Sequence, residues 1–486
     1  SGLSPYFLMS ARRGRPAYSD SIAAEAAGVG TLIRRAGTDY YGYDEFGHEV
    51  DSGPDGPKQP VTAAGWIGDN FEYEGLMVNA GLRVSYFDMD LWEPVNPAAP
   101  PYDPEDVQVN VGGENGLQEA SADVRLLPRL GLSYSFSERM AVYGQFGQFA
   151  QMPDLQYAYA GRGAMAEVYS GRVGVTERFA YDLDPIETTQ FEIGLGWQFM
   201  DEAAVDLSVY RRRTDGQLQI TRQDADGRTS ASPYNLFENS DHSIARGLEL
   251  SLRTKRVAGV RGVLHYSLND EQGTNSEPTD QFGAVENGID TASNERPLSY
   301  MQKHQGAAVL DYRTGADRIA WLRNWSGTLL WQVSSGRRYT KRTGGFGFRG
   351  ADDGPLLPTP NPRTQQRTEP INASTAPFTS RLDLRLEREF PLGPATVTLY
   401  GYVQNLLNRR NGENVYLRTG NTTDDGFFSN PALSEDIIAN RGQDFVEYYR
   451  SINLDNRSHY RDPVSGWGRD LLGEPRQIRF GIRVLY

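Results

Sequence analysis

Cysteine is absent from the 486 residues, and only five are histidine. Without thiols there is no disulfide framework, no zinc–thiolate site and no cysteine nucleophile. His48, His242, His265, His304 and His459 are scattered, with no two at a ligand spacing. No stretch approaches the ~18 apolar residues that a membrane-spanning helix needs. Positive charge is short as well, 49 Lys and Arg against 63 Asp and Glu, for a net charge of −14. An acidic surface repels phosphate backbones, so nucleic acid is not an expected partner. Gly-x-Ser-x-Gly, His-Glu-x-x-His and phosphate-loop patterns are missing too. The residues therefore predict no enzyme, no cofactor and no metal centre.

What is plentiful is glycine (52) and tyrosine (27), set in a pattern of period two. In 189–199, Thr189, Phe191, Ile193, Leu195, Trp197 and Phe199 fall on one face, and Gln190, Glu192, Gly194, Gly196 and Gln198 on the other. Such alternation is a strand with one apolar and one polar face. Leu248, Leu250 and Leu252 oppose Glu249, Ser251 and Arg253 in the same way, and Leu382, Leu384 and Leu386 oppose Arg381, Asp383, Arg385 and Glu387. The pattern predicts thirteen strands: 59–71, 74–88, 127–136, 139–150, 186–199, 202–221, 245–256, 259–270, 300–312, 319–335, 378–390, 394–407 and 476–486.

The connections between them run 2, 38, 2, 35, 2, 23, 2, 29, 6, 42, 3 and 68 residues. Short and long alternate throughout, as they do in a transmembrane barrel with tight periplasmic turns and long extracellular loops. A soluble sandwich or propeller has no such rule. Most strands reach the ~9–11 residues a tilted spanning strand needs. The charged rows fit a wet lumen better than a packed interior, where unpaired charge is costly. The apolar rows then face lipid, with Tyr134, Phe136, Trp197, Phe199, Trp331 and Tyr486 near strand ends where aromatic girdles form. A large soluble β-protein with a half-exposed sheet is the alternative, and it leaves the loop alternation unexplained. Five of the six long connections are net negative, whereas 336–377 carries +4.

Several stretches resemble a known family. Trp66-Ile67-Gly68-Asp69-Asn70-Phe71-Glu72-Tyr73 with Met77 to Val84 resembles the mid-barrel hairpin of TonB-dependent outer-membrane receptors, in the Oar-like subgroup with a carboxypeptidase-regulatory-like N-terminal domain. Leu127-Pro128-Arg129-Leu130-Gly131-Leu132-Ser133-Tyr134 resembles its next descending strand. Tyr402-Val403-Gln404-Asn405-Leu406-Leu407-Asn408 resembles its penultimate-strand motif, and Pro475 to Tyr486 its closing strand. The likeness covers roughly 59–486. It implies an all-β transmembrane antiparallel barrel of 22 strands, of which thirteen or fourteen are in this chain, preceded by a plug domain and an energy-coupling segment. On that reading the chain is the C-terminal part of the barrel, residues 59–486 hold its strands and long loops, and 1–58 are an extracellular loop region in which Ser4–Arg13 end a preceding strand.

The implied function is energised import of a scarce nutrient, either a ferric chelate or an oligosaccharide or peptide, across a bacterial outer membrane. A passive channel, or a surface-display or adhesion barrel, is the alternative. Implied partners are outer-membrane lipid, the TonB complex acting through a plug, the barrel-assembly machinery and, as a further candidate, a surface lipoprotein. Two sets of residues are candidates for these roles. In the basic loop, Arg337, Arg338, Lys341 and Arg342 interleave with Tyr339, Phe346 and Phe348, and cations beside aromatic rings suit an anionic, partly aromatic ligand. The other reading pairs these cations with neighbouring acidic loops. At the last strand, Arg479, Gly481, Val484 and Tyr486 match the family's assembly signal, with Val484 and Tyr486 on the lipid face and Gly481 inward, where a missing side chain admits a neighbouring backbone. Within 408–475, Asn430-Pro431 reads as a helix cap and first position, ahead of Ile437, Ile438, Phe445, Tyr448 and Tyr449 at near-helical spacing. That helix is read as a lid or as packing for neighbouring loops.

Overall fold

The computed structural model describes residues 42–44, 48–96, 101–103, 108–113, 116–169, 179–223, 234–282, 294–315, 318–319, 321–342, 367–453 and 472–486. All thirteen predicted strands form: β1 Val61–Tyr73, β2 Leu76–Asp88, β3 Asp123–Ser137, β4 Met140–Gln151, β5 Ile186–Met200, β6 Ala203–Gln223, β7 Tyr234–Thr254, β8 Val260–Gly273, β9 His304–Arg313, β10 Trp325–Ser334, β11 Thr379–Leu392, β12 Ala395–Gln404 and β13 Gln477–Leu485. Each pairs antiparallel with its neighbour in sequence, making one up-and-down sheet, and Arg296–Pro297 adds a short strand at the tip of β8. Among the described residues, β1 and β13 are the two ends of this order.

Four differences from the predicted boundaries have local causes. The first hairpin turns at Glu74 and Gly75 rather than at 72–73, because both take positive φ (47° and 81°), which suits a two-residue turn whose twist matches the strands. β10 starts at Trp325 instead of 319, because Asn324 is left-handed (φ 58°) and Leu322 donates back to the Ile319 carbonyl. β9 starts at His304 instead of 300, because Met301 closes a turn onto the Leu298 carbonyl. β7 starts at Tyr234 instead of 245, so β6 and β7 form a long ribbon with register shifts around Gln217. Polar and apolar residues lose strict alternation at those shifts, and the period-two signal is lost with them.

Burial is distributed unlike that of a soluble protein. The apolar rows of the strands are open: Ile193 is 67% exposed, Leu126 62% and Phe480 84%. The fully buried apolar side chains lie at the long-loop end. Leu117, Met165, Tyr169, Phe179 and Leu236 form one cluster, and Leu91, Leu183, Ile220 and Phe237 another. The first holds helix α1 (Arg162–Tyr169), whose N-terminal amide, on Arg162, donates to Asp55 Oδ1 at 2.7 Å while the Arg162 Nε meets Oδ2 at 2.7 Å. Apolar surface left exposed over a continuous sheet has to meet another apolar medium, and the hydrocarbon of a bilayer is that medium.

The polar rows carry a repeated joint. Tyr143 on β4 lies across Gly194 on β5 and donates to Asp206 Oδ1 on β6 at 3.2 Å. Tyr210 on β6 lies across Gly247 on β7 and donates to Asn269 Oδ1 on β8 at 3.0 Å. A Cβ added at Gly194 would sit 2.2 Å from Tyr143 Cζ, so any side chain there pushes the ring away. Gly194→Ala should therefore lose both the ring packing and the hydrogen bond, a cost of about 1–3 kcal/mol for overpacking. Tyr143→Phe should lose the hydrogen bond alone. Urea unfolding of the two variants in the same lipid should rank them in that order, and an unperturbed Gly194→Ala would mean that the joint does not hold the strands.

Candidate ligand site at the long-loop rim

A cavity of about 700 Å³ opens on the polar side of β7–β11, beneath the last two long loops. Strand register explains its lining. Ser251, His265, Ala307, Gln332 and Arg381 are successive cross-strand partners and make one inward level. Glu249, Ser267, Gln305, Ser334 and Thr379 make the level next to it. The roof comes from Gly336, Arg337, Ala376, Glu413 and Glu474. The wall is already hydrogen-bonded into one orientation: Ser251 Oγ to His265 Nδ1 at 2.8 Å, Arg381 to Gln332 Oε1 at 2.9 Å, and Ser334 Oγ to Thr379 Oγ1 at 2.7 Å. Two arginines, three glutamates and several amides suit a polar ligand with several hydrogen-bonding groups.

The roof is tied down by residues whose role was not read from the sequence. Asn405 is 1% exposed and left-handed (φ 51°), a conformation asparagine tolerates. Its backbone amide donates to Asp383 Oδ1 at 2.9 Å, and its side chain bridges Arg409 to the Glu474 carbonyl at 3.1 Å. Asn408 Oδ1 accepts from the Arg476 amide, and Asn411 makes paired bonds with the Ser380 backbone. The two ends of the last loop are thereby clamped together beside Arg381. Asp383, 2% exposed, also accepts from Tyr402 at 3.1 Å and faces the Arg381 Nε at 3.2 Å. The Tyr402–Asn408 motif was visible in the sequence; that its asparagines clamp a loop was not.

Of the basic-loop candidates, Arg337 is exposed and reaches the cavity. Arg338 and Tyr339 form a two-residue strand against Ser374–Thr375, with Arg338 donating to the Ala373 carbonyl at 3.2 Å. Lys341 donates its backbone amide to Glu369 Oε1 at 2.7 Å, and Arg342 bridges to Arg367 and donates to the Leu417 carbonyl. Phe346 and Phe348 lie outside the described residues. The predicted helix is present as α2, Pro431–Asn453, broken at Gly442 (φ 75°). Its buried Tyr449 packs on Phe427 and Phe428 and donates to Asp425, so the helix packs against its own loop. On β13, Arg479 pairs with Tyr402 on the inward row, and Val484 and Tyr486 are exposed. What comes close to Gly481 is the Tyr400 ring, which a Cβ added there would meet at 2.3 Å, so the close approach expected of a neighbouring backbone is made by a side chain.

Glu369 supplies a pH test of the basic hairpin. Burial works to raise its pKa, but the Lys341 amide, the Ser374 hydroxyl and the Lys341 charge outweigh it and hold the carboxyl below its ordinary value. A depressed acid stabilises above the ordinary glutamate range and stops doing so as pH falls through the depressed value. Amide exchange at Lys341, corrected for its intrinsic rate, should therefore rise in acid below that range. Glu369→Gln should remove the acid step, and a step that persists in this variant would assign it to another group.

An antiparallel sheet with an exposed apolar face, a polar face and long loops at one end defines a transmembrane barrel wall of the outer-membrane type. The sequence family described as TonB dependent receptor-like, beta-barrel matches residues 9–406. The chain belongs to that family and is an outer-membrane protein. Similar solved structures include the FpvAI–pyocin S2 complex (11% identity, TM-score 0.48, 87% of this chain and 39% of that one). They also include the copper transporter OprC (13%, 0.45, 87% and 46%). A third is the ferric-catecholate import receptor Fiu from K12 E. coli (12%, 0.44, 77% and 45%). The chain thus spans less than half the length of these chains. No curated protein matches it in sequence.

Proposed function

We propose that this chain is the C-terminal wall of a larger, Oar-like TonB-dependent receptor, which takes up a scarce nutrient with TonB-derived energy. The observation that carries this reading is the polar cavity at the long-loop rim, opening onto a charged inward face in a chain of this family. The nutrient is a ferric chelate, an oligosaccharide or a peptide, which Arg337, carried by the neighbouring hairpin 338–342, would meet. Further strands would complete the barrel between the outer edges of β1 and β13. The barrel-assembly machinery would insert it, and a surface lipoprotein would be a capping partner. Uptake should be tested in cells with the receptor deleted and restored, with and without a protonophore that collapses the energising gradient. Loss of accumulation in both the deletion and the protonophore arm supports the reading. Accumulation that survives the protonophore, with steady conductance of the purified protein in planar bilayers, would select a passive channel instead.

A further inference from the structure

The lipid-facing rows are not uniform. Between β8 and β11 they form an apolar groove of about 480 Å³. Its floor is set by small residues, Gly262 and Ala308, and its walls by Leu310, Leu329, Trp331 and Leu382. Register places Gly262, Leu310 and Leu329 side by side, with Leu264, Ala308, Trp331 and Leu382 one step further from the short turns. A residue of opposite character stands at the short-turn end of the same rows. Arg388 shares the face of Leu382, Leu384 and Leu386 and pairs with Trp325. Its guanidinium lies over the Trp325 ring at 5.6 Å and the Phe390 ring at 4.9 Å.

Arg388 and Trp325 are four residues along the strands from the Leu329 level of the groove, about 13 Å at the rise of a strand. Strand tilt reduces that to roughly 10 Å of depth, which fits within one leaflet's half of a ~30 Å hydrocarbon core. A lipid whose acyl chain lay in the groove could thus set its headgroup beside the cation. The turn beside it adds Trp321, 65% exposed and tied to the rim because Trp325 Nε1 donates to its carbonyl at 2.8 Å. Arg323 is on the same turn. Aromatic rings and arginines on a barrel's short-turn rim meet the periplasmic leaflet.

We propose that this groove and Arg388 form a binding site for one anionic phospholipid of the periplasmic leaflet, its acyl chain along Ala308 and its phosphate on the guanidinium. An arginine pinned by two rings is held in place before the lipid arrives, so little side-chain entropy is lost on binding. A neutral-headgroup lipid would gain the groove but not the net charge.

The purified chain in detergent should be mixed with dioleoylphosphatidylglycerol or dioleoylphosphatidylcholine and examined by native mass spectrometry. One phosphatidylglycerol should remain bound at collision energies that strip phosphatidylcholine. Arg388→Gln should lower its retention about fivefold, the weight of one cation against an anionic headgroup. Ala308→Trp, which fills the groove, should lower retention of both lipids. Circular dichroism and heat-modifiable gel mobility should match the parent for each variant, and Ala308→Trp tests the site even where Arg388→Gln folds poorly. Equal retention of the two lipids by the parent, or parent-like retention in Arg388→Gln, would overturn the headgroup assignment. Parent-like retention in Ala308→Trp would overturn the groove assignment.

Discussion

Leu250→Arg should destabilise the barrel by about 2–4 kcal/mol, the cost of a cation on the lipid face near the midplane, whereas Ser251→Arg should be tolerated. Leu250 lies four residues from the short-turn end of β7 at Thr254, between its partners Leu207 on β6 and Tyr266 on β8, all on the outward rows. Ser251, one residue along, faces inward and bonds His265 at 2.8 Å. An arginine at 251 loses that bond, worth about 1 kcal/mol, but keeps its charge in water. The folded fraction in liposomes, followed by gel mobility across a urea series, separates the two. Equal tolerance would show that these rows do not meet lipid.

Tyr486→Asp should sharply reduce assembled protein in the outer membrane and divert the chain to periplasmic proteolysis. Ile478, Phe480, Ile482 and Val484 give β13 an outward row exposed by half or more, and Tyr486 continues it with its side chain fully in the open. A carboxylate at the end of that row puts a full charge where the lipid interface favours an aromatic ring. Tyr448 on α2 is also exposed, but it stands on a loop helix, and Tyr448→Asp should leave assembly intact. The comparison is made by counting heat-modifiable protein in isolated outer membranes. Parent-level assembly of Tyr486→Asp would remove Arg479, Gly481, Val484 and Tyr486 as an assembly signal.

Strand identity was legible wherever one face is apolar and the other wet, because a one-residue slip would turn every side chain to the wrong medium. Phe191, Ile193 and Trp197 against Gln190, Glu192 and Gly194 is such a case, and β5 lies where it was expected. The signal weakened at the upper part of β7, where it pairs with the end of β6. There Ile220 and Phe237 are buried in one cluster with loop residues such as Leu91 and Leu183, and Leu236 in another with Leu117, so apolar side chains no longer mark a lipid face. The candidate site was legible only in part. Arg337 stood out because four cations crowd within six residues, yet Arg338 and Lys341 are built into the hairpin rather than the cavity lining.

Period-two alternation and the alternation of loop lengths settled the class of fold, the order of thirteen strands and the face that each presents to lipid. Both are local properties: a side chain's face follows from its parity along the strand, and a turn's length from the sequence between strands. What depended on the folded chain was every relation between distant residues. Tyr143 crosses Gly194 to reach Asp206, Asn405 clamps Glu474 beside Asp383, and Arg388 meets Trp325. These contacts follow from how strands are registered against one another, and register is set jointly by pairs of strands and their loops. No single stretch of sequence carries it, so the cavity, the loop clamp and the lipid groove came into view only with the assembled sheet.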